Sequence, residues 1–206
     1  MQPRLLPAAA ALLLLPQLST VLATTDGLSR TPALGWNSWN WVGVNKLLPS
    51  CPPKLGCHSE VVIREMADAL VSLGLQAKGY EYINLSEGWP LGRRLANGSL
   101  SGDPTRYPSG IKALSDYIHG RGLRFGIYLD AGNYTCAGFP GSFGHEVADV
   151  AQIVEWGADY LWLDGCGLPM GPDGDPQLVQ EKYELWSKLL RDSGRDIVFQ
   201  ASWPGA

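Results

Sequence analysis

Residues 146–167 read EVADVAQIVEWGADYLWLDGCG. The first half repeats apolar residues at helical spacing, with Val147, Val150, Ala151 and Val154 on one face and Gly157 just past the end. The second half, DYLWLD, is a short apolar run of strand character that stops on a carboxylate, Asp164, with Cys166 two residues on. A helix feeding a short buried strand is one step of a βαβ chain, and the same step recurs in both directions. Upstream, LRFGIYLD follows a helix over SGIKALSDYIHGRG, with Ser109 as its expected N-cap and Ile111, Leu114, Tyr117 and Ile118 inward. Before that, YEYINL follows SEVVIREMADALVSLG, whose expected inner face is Val62, Met66, Ala69, Leu70 and Leu73, with Gly74 as its stop. ALGWNSW is the first run. Downstream, DPQLVQEKYELWSKLLRDSG starts with Asp175 as cap and Pro176 at the first helical position, and DIVFQASW is a fifth strand.

Five strands separated by helices imply a parallel sheet, either an open doubly wound sheet or a (β/α)8 barrel. The first βα turn has no glycine-rich phosphate loop, which counts against a dinucleotide-binding domain. Polar and aromatic residues gather just after the strands: Trp39, Asp130, Asp164, Ser202 and Trp203. A barrel builds its site from several strand ends in this way. A complete barrel takes roughly 250 residues, more than the segment 24–206 supplies, so the expected fold is an α/β (β/α)8 barrel truncated after about five βα units.

The 206 residues carry a net charge of −4, with 45% hydrophobic and 17% charged residues, the profile of an ordinary globular domain. Mild acidity gives no electrostatic reason for a nucleic-acid or anionic-membrane partner. Eight Trp and eight Tyr suit core packing or the stacking of a ring-shaped ligand such as a sugar. Residues 1–23 read as a secretory signal peptide: Arg4, then AAAALLLL, then VLA ending at Ala23, interrupted by Pro7 and Pro16 and too short to span a membrane. In an oxidising compartment Cys51, Cys57, Cys136 and Cys166 are read as disulfide partners. His58, His119 and His145 show no metal-ligand spacing, so no metal or cofactor is expected. Sequons occur at Asn84, Asn97 and Asn133. Asn97 and Asn133 lie in polar loops and are the expected glycosylation sites, whereas Asn84 lies in a strand-like run.

The segments PALGWNSWN, MADALVSLGL, GYEYINL, YPSGIKALSDYIHGRGLRFGIYLDAGNYTCAGFPGSFGHE and WGADYLWLDGC, in this order, resemble glycoside hydrolase family 27, the α-galactosidase and α-N-acetylgalactosaminidase family. The resemblance runs from about Thr31 to Pro204. It implies a barrel followed by an antiparallel β-domain, with the last three βα units and that domain beyond Ala206. It also implies a retaining exo-α-glycosidase acting on terminal α-galactosyl or α-N-acetylgalactosaminyl residues, with Asp164 as nucleophile. Such an enzyme needs a second carboxyl as acid/base, which the family places after a sixth strand, outside this chain. By the same resemblance Cys136 pairs with Cys166. Cys51 and Cys57, spaced around PPKLG, are expected to close a small loop after the first strand. A further bridge of the family is absent, because Gly88 stands at its cysteine position.

Sugar-contacting positions map onto Trp39, Glu87, Tyr128, Trp162, Ser202 and Trp203. Trp39, Tyr128 and Trp203 keep the family's residue types. Ser86 and Glu87 stand where the family has two adjacent aspartates, and Trp162 where it usually has a lysine. Ser202 and Gly205 correspond to small residues that leave room for a 2-acetamido group. A carbohydrate is therefore the expected partner, with a homodimer for the complete protein, in the secretory pathway, extracellular or lysosomal/vacuolar. The competing expectation is a non-catalytic truncated or pseudoenzyme sugar-binding product.

Overall fold

The computed structural model describes residues 27–39, 58–170 and 175–202. Five strands, β1 (Leu34–Asn37), β2 (Tyr80–Leu85), β3 (Arg124–Asp130), β4 (Tyr160–Asp164) and β5 (Val198–Ala201), form one parallel sheet in chain order. Between them run α1 (Glu60–Ser72), α2 (Ile111–Gly120), α3 (Glu146–Glu155) and α4 (Pro176–Asp192).

The two sheet faces differ in chemistry. Ile83 and Leu85 of β2, Phe125, Ile127 and Leu129 of β3, and Leu161 and Leu163 of β4 pack into one cluster with buried residues of all four helices. Alternation along each strand then turns the remaining side chains to the opposite face. The register aligns them into rows: Asn84, Gly126, Tyr160 and Val198; then Tyr128, Trp162 and Gln200; then Asp130 and Asp164 at the strand ends. A doubly wound sheet would cover both faces with helices and make both apolar. Here the helices take one face, and among the described residues the other, polar and aromatic, carries none, as the inner face of a (β/α)8 barrel does. The chain thus forms five strands of such a barrel. Gly126 is required in its row, since a Cβ there would lie 1.8 Å from Asn84 Oδ1. Among the described residues no helix is long and apolar enough to cross a membrane.

The helix stops fall where expected. Gly74 and Gly157 follow α1 and α3 with positive φ of 68° and 78°. Asp175 caps α4 by accepting from the Leu178 N–H at 3.0 Å, with Pro176 in the first turn.

Three local expectations are corrected. Ser109 is not the cap of α2: Gly110 holds that position, and the Ser109 N–H and hydroxyl donate to the Glu60 carboxylate at 3.0 Å each, tying α2 to α1. The inner face of α1 is Val62, Ile63, Ala67 and Leu70, with Met66 packed at its margin, while Leu73 is the C-cap residue and 72% exposed. In α3, Val147 and Ala151 point to solvent, and Glu146, Asp149, Val150 and Ile153 are buried. Charge pairing causes this rotation. Asp149 is gripped by both Arg94 nitrogens at 2.8 and 2.6 Å, and Glu146 accepts from Lys182 at 2.5 Å. A paired carboxylate can occupy a helix face that hydropathy alone assigns to valine. Arg94 also donates to the Gly98 and Gly141 carbonyls, which docks the long segment after β2 onto the loop before α3.

Beneath the ends of β1 and β2 lies a buried imidazole. His58 Nε2 is 2.8 Å from Ser38 Oγ, which accepts the Ser86 N–H at 2.8 Å, and His58 Nδ1 is hydrogen-bonded to the Tyr107 hydroxyl. Burial, reinforced by the positive charge of Arg106, pushes His58 down from 6.5 to about 3. The folded chain therefore holds this group neutral, whereas the unfolded chain protonates it below about pH 6.5. Its contribution to stability is present above that pH and is lost as pH falls toward 3, by about 2 kcal/mol at pH 5. We expect His58→Gln in the full-length protein to lose less denaturation free energy between pH 7 and pH 5 than the parent does. Equal acid losses in the two proteins would contradict this role.

Candidate active site

Asp164 closes β4, where the last inward side chain of a strand meets the mouth of the sheet. The backbone fixes its carboxylate from one side, since Oδ1 accepts the Gly165 N–H at 2.9 Å. The neighbouring strand fixes it from the other, since the Tyr128 hydroxyl donates to Oδ2 at 3.1 Å. Two anchors on two strands hold the group in one orientation while it stays partly exposed, as a side chain that must meet a substrate requires.

The loops after β3 and β4 are joined by the Cys136–Cys166 disulfide, with a Cα–Cα distance of 5.1 Å. They also interlock through backbone. Ala131 N–H donates to the Asp164 carbonyl at 2.8 Å and Asn133 N–H to the Gly167 carbonyl at 3.0 Å. Gly132 is needed at this crossing because a Cβ there would lie 2.0 Å from the Cys166 carbonyl oxygen. The bridge brings the Cys136 sulfur to 3.6 Å from Asp164 Oδ2, so the disulfide forms one wall of the site.

Three aromatic rings form another wall. Trp162 meets Tyr128 edge-on at 5.3 Å between centroids and Trp39 at 6.5 Å. Among the described residues Trp162 Nε1, which is buried, has no hydrogen-bond partner, and neither has the buried Ser86 Oγ. Glu87, 3% exposed, accepts the Ala137 N–H at 2.7 Å, which gives one of its oxygens a structural duty in holding the disulfide loop. Ser202 follows β5, its N–H donating to the Leu163 carbonyl at 2.9 Å.

Of the residues singled out from sequence, Asp164, Tyr128, Trp162 and Trp39 come together at one end of the sheet, and Glu87 joins them through the loop it supports. Trp203, Gly205 and the Cys51–Cys57 pair lie outside the described residues. Asn97 and Asn133 are exposed, while Asn84 is half-buried on the inner sheet face with Oδ1 unpartnered. Sequence reading left Asp130 among the strand-end polar residues without a role of its own. The structure sets it in register with Asp164, fully buried, with Oδ2 3.5 Å from the Tyr128 hydroxyl. The signal was available in the matching strand ends YLD and LWLD. Ser38 and His58 carried no comparable local signal, because their pairing spans 20 residues.

A family model described as alpha galactosidase A matches residues 31–206. An α-galactosidase from Cyamopsis tetragonoloba is 44% identical over 177 residues, covering 84% of this chain and 38% of the relative. An α-N-acetylgalactosaminidase from Gallus gallus is 42% identical over 180 residues, covering 87% and 42%. Among solved structures, an α-galactosidase from Saccharomyces cerevisiae superimposes with a TM-score of 0.74 at 34% identity, covering 85% of this chain and 36% of that one. The chain thus spans about two fifths of the length of the curated relatives it matches.

Proposed function

The chain belongs to the α-galactosidase A family of glycoside hydrolases, and from that membership we propose that the full-length protein is a retaining exo-α-glycosidase with Asp164 as its nucleophile. The observation that carries the reading is the double anchoring of Asp164, by the Gly165 N–H and the Tyr128 hydroxyl, at the mouth of the sheet. In the first half-reaction an Asp164 oxygen bonds to the anomeric carbon as the glycosidic C–O bond breaks, and the leaving oxygen takes a proton from an acid. In the second, water attacks the same carbon, gives its proton to the conjugate base, and Asp164 leaves. The acid/base carboxyl is expected beyond residue 206. Trp39 and Trp162 would offer their rings to the apolar face of the sugar, while the Tyr128 ring is buried.

Relatives named for α-galactosidase and for α-N-acetylgalactosaminidase activity support a terminal α-linked galactose-type sugar as the substrate class. The signal-like residues 1–23 and the Cys136–Cys166 bridge support a secretory route. The alternative, a non-catalytic sugar-binding protein, draws on the same aromatic wall, and one experiment separates them. A fluorosugar that glycosylates the enzyme faster than water releases it is expected to label the peptide containing Asp164. A label elsewhere, or none, would sink the nucleophile assignment.

A further inference from the structure

Tyr128 has one hydroxyl proton and two carboxyl groups competing for it, Asp164 Oδ2 at 3.1 Å and Asp130 Oδ2 at 3.5 Å. Asp130 is fully buried, stands beside Asp164 across the β3–β4 ladder, and uses Oδ1 to accept the Gly132 N–H at 2.7 Å. The charges facing it are Asp164 from β4 and Glu87 from the segment after β2. None of the ion pairs among the described residues includes Asp130. A buried carboxyl without a cation, next to a second carboxylate, is poorly stabilised as an anion. The double displacement at Asp164 gives it no task.

We propose that Asp130 is an uncharged positioning residue for Asp164: its carboxyl O–H donates to the Tyr128 hydroxyl oxygen, which commits the tyrosine proton to Asp164. Each proton in the chain from Asp130 to Asp164 then has one acceptor. Gly132 N–H donates to Asp130 Oδ1, Asp130 O–H to Tyr128, and Tyr128 O–H to Asp164 Oδ2. If Asp130 were ionised, two anions would pull on the one tyrosine proton and repel each other across the strand pair. Burial, together with the negative charges of Asp164 and Glu87, pushes Asp130 up to about 8, against the pull of the Gly132 and Cys166 N–H groups. The neutral form is therefore the resident one at pH 6, and alignment of Asp164 is lost as pH rises through about 8. This inference rests on Asp164 being the nucleophile.

The test is Asp130→Asn in the full-length protein. The amide has the same shape, can accept from Gly132 and donate to Tyr128, and cannot ionise. On an activated aryl α-glycoside, whose leaving group needs little acid help, the titration of the acid/base does not mask the result. At pH 6 the variant is expected to keep kcat within about threefold of the parent, since the proton chain is preserved. At pH 9, where about a tenth of a group titrating near 8 stays protonated, it is expected to exceed the parent about tenfold. An identical alkaline fall in the two proteins would overturn the proposal.

A second readout needs no turnover. Infrared spectra of the parent at pH 6 are expected to show a protonated-carboxyl carbonyl band that fades near pH 8 and is missing from Asp130→Asn. Absence of that band from the parent, or its persistence in the variant, overturns the proposal even if a fluorosugar labels Asp164. A band assigned to Asp130 in a protein that turns over no α-glycoside would instead sink the nucleophile reading, and the positioning role with it.

Discussion

Asp164→Asn in the full-length protein is expected to lower kcat on an activated aryl α-glycoside by on the order of 10³-fold or more. The carboxamide is nearly isosteric with the carboxylate but is a very poor nucleophile, so the glycosyl-enzyme does not form. The activated leaving group departs with little acid assistance, and the measured rate then reports on the nucleophile. The fold should survive. One amide oxygen can still accept from either the Tyr128 hydroxyl or the Gly165 N–H, the two donors that hold Asp164. The donor left over loses one hydrogen bond, at about 1 kcal/mol, in a side chain that remains partly exposed. A melting temperature within a few degrees of the parent's, alongside lost turnover, is the expected pair of results. A variant retaining most of its kcat would show that Asp164 is not the nucleophile.

The second large effect concerns the sugar. By the family resemblance, Ser86, Glu87 and Trp162 stand where two carboxylates and an ammonium grip the hydroxyls of galactose. The structure sharpens the contrast. Glu87 already accepts the Ala137 N–H, the Ser86 hydroxyl is buried, and Trp162 packs edge-on against Tyr128 and Trp39. Charge-assisted hydrogen bonds are worth about 1.5–3 kcal/mol each, so losing two weakens galactose binding by roughly two to four orders of magnitude. The full-length protein is therefore expected to hydrolyse simple α-galactosides poorly and to prefer a sugar that differs at C2, C4 or C6. The measurement is a panel of aryl α-glycosides of galactose, N-acetylgalactosamine and glucose, with the pentose that lacks C6. A kcat/KM on the α-galactoside of about 10⁴ M⁻¹s⁻¹ or more, within the ordinary enzyme range, would show that the substitutions are tolerated.

What local pattern encodes was readable in advance. Strands that alternate with amphipathic helices, glycines at helix ends, and the Asp175–Pro176 helix start are statements about neighbours in sequence, and the structure places them as read. What depends on a distant partner was not readable. Hydropathy put Val147 inside α3, yet Arg94, 55 residues away in sequence, draws Asp149 inward instead. Ser109 has the right type for a helix cap, but its hydroxyl is claimed by Glu60 on another helix. The site divides in the same way. The strand-end position of Asp164 and the Cys136–Cys166 bridge followed from a motif, whereas the second duty of Glu87 and the place of the Tyr128 hydroxyl between two carboxyls emerge only when three strand ends stand side by side.

The order of the sheet has a kinetic consequence. Among the described residues each strand pairs with the strand before or after it in the chain, β1 with β2 through to β4 with β5. Parallel pairing usually folds slowly because distant segments must find each other before any contact rewards the search. Here each closure spans one βα unit, 34 to 47 residues between register partners, and closure entropy grows only logarithmically with such lengths. A ribosome delivers these units in the order in which they dock, so β1 and β2 can be paired while β4 is still untranslated. Assembly of the strand end that carries Asp164 would then be a late addition to a platform already in place, and the rate of synthesis could pace it.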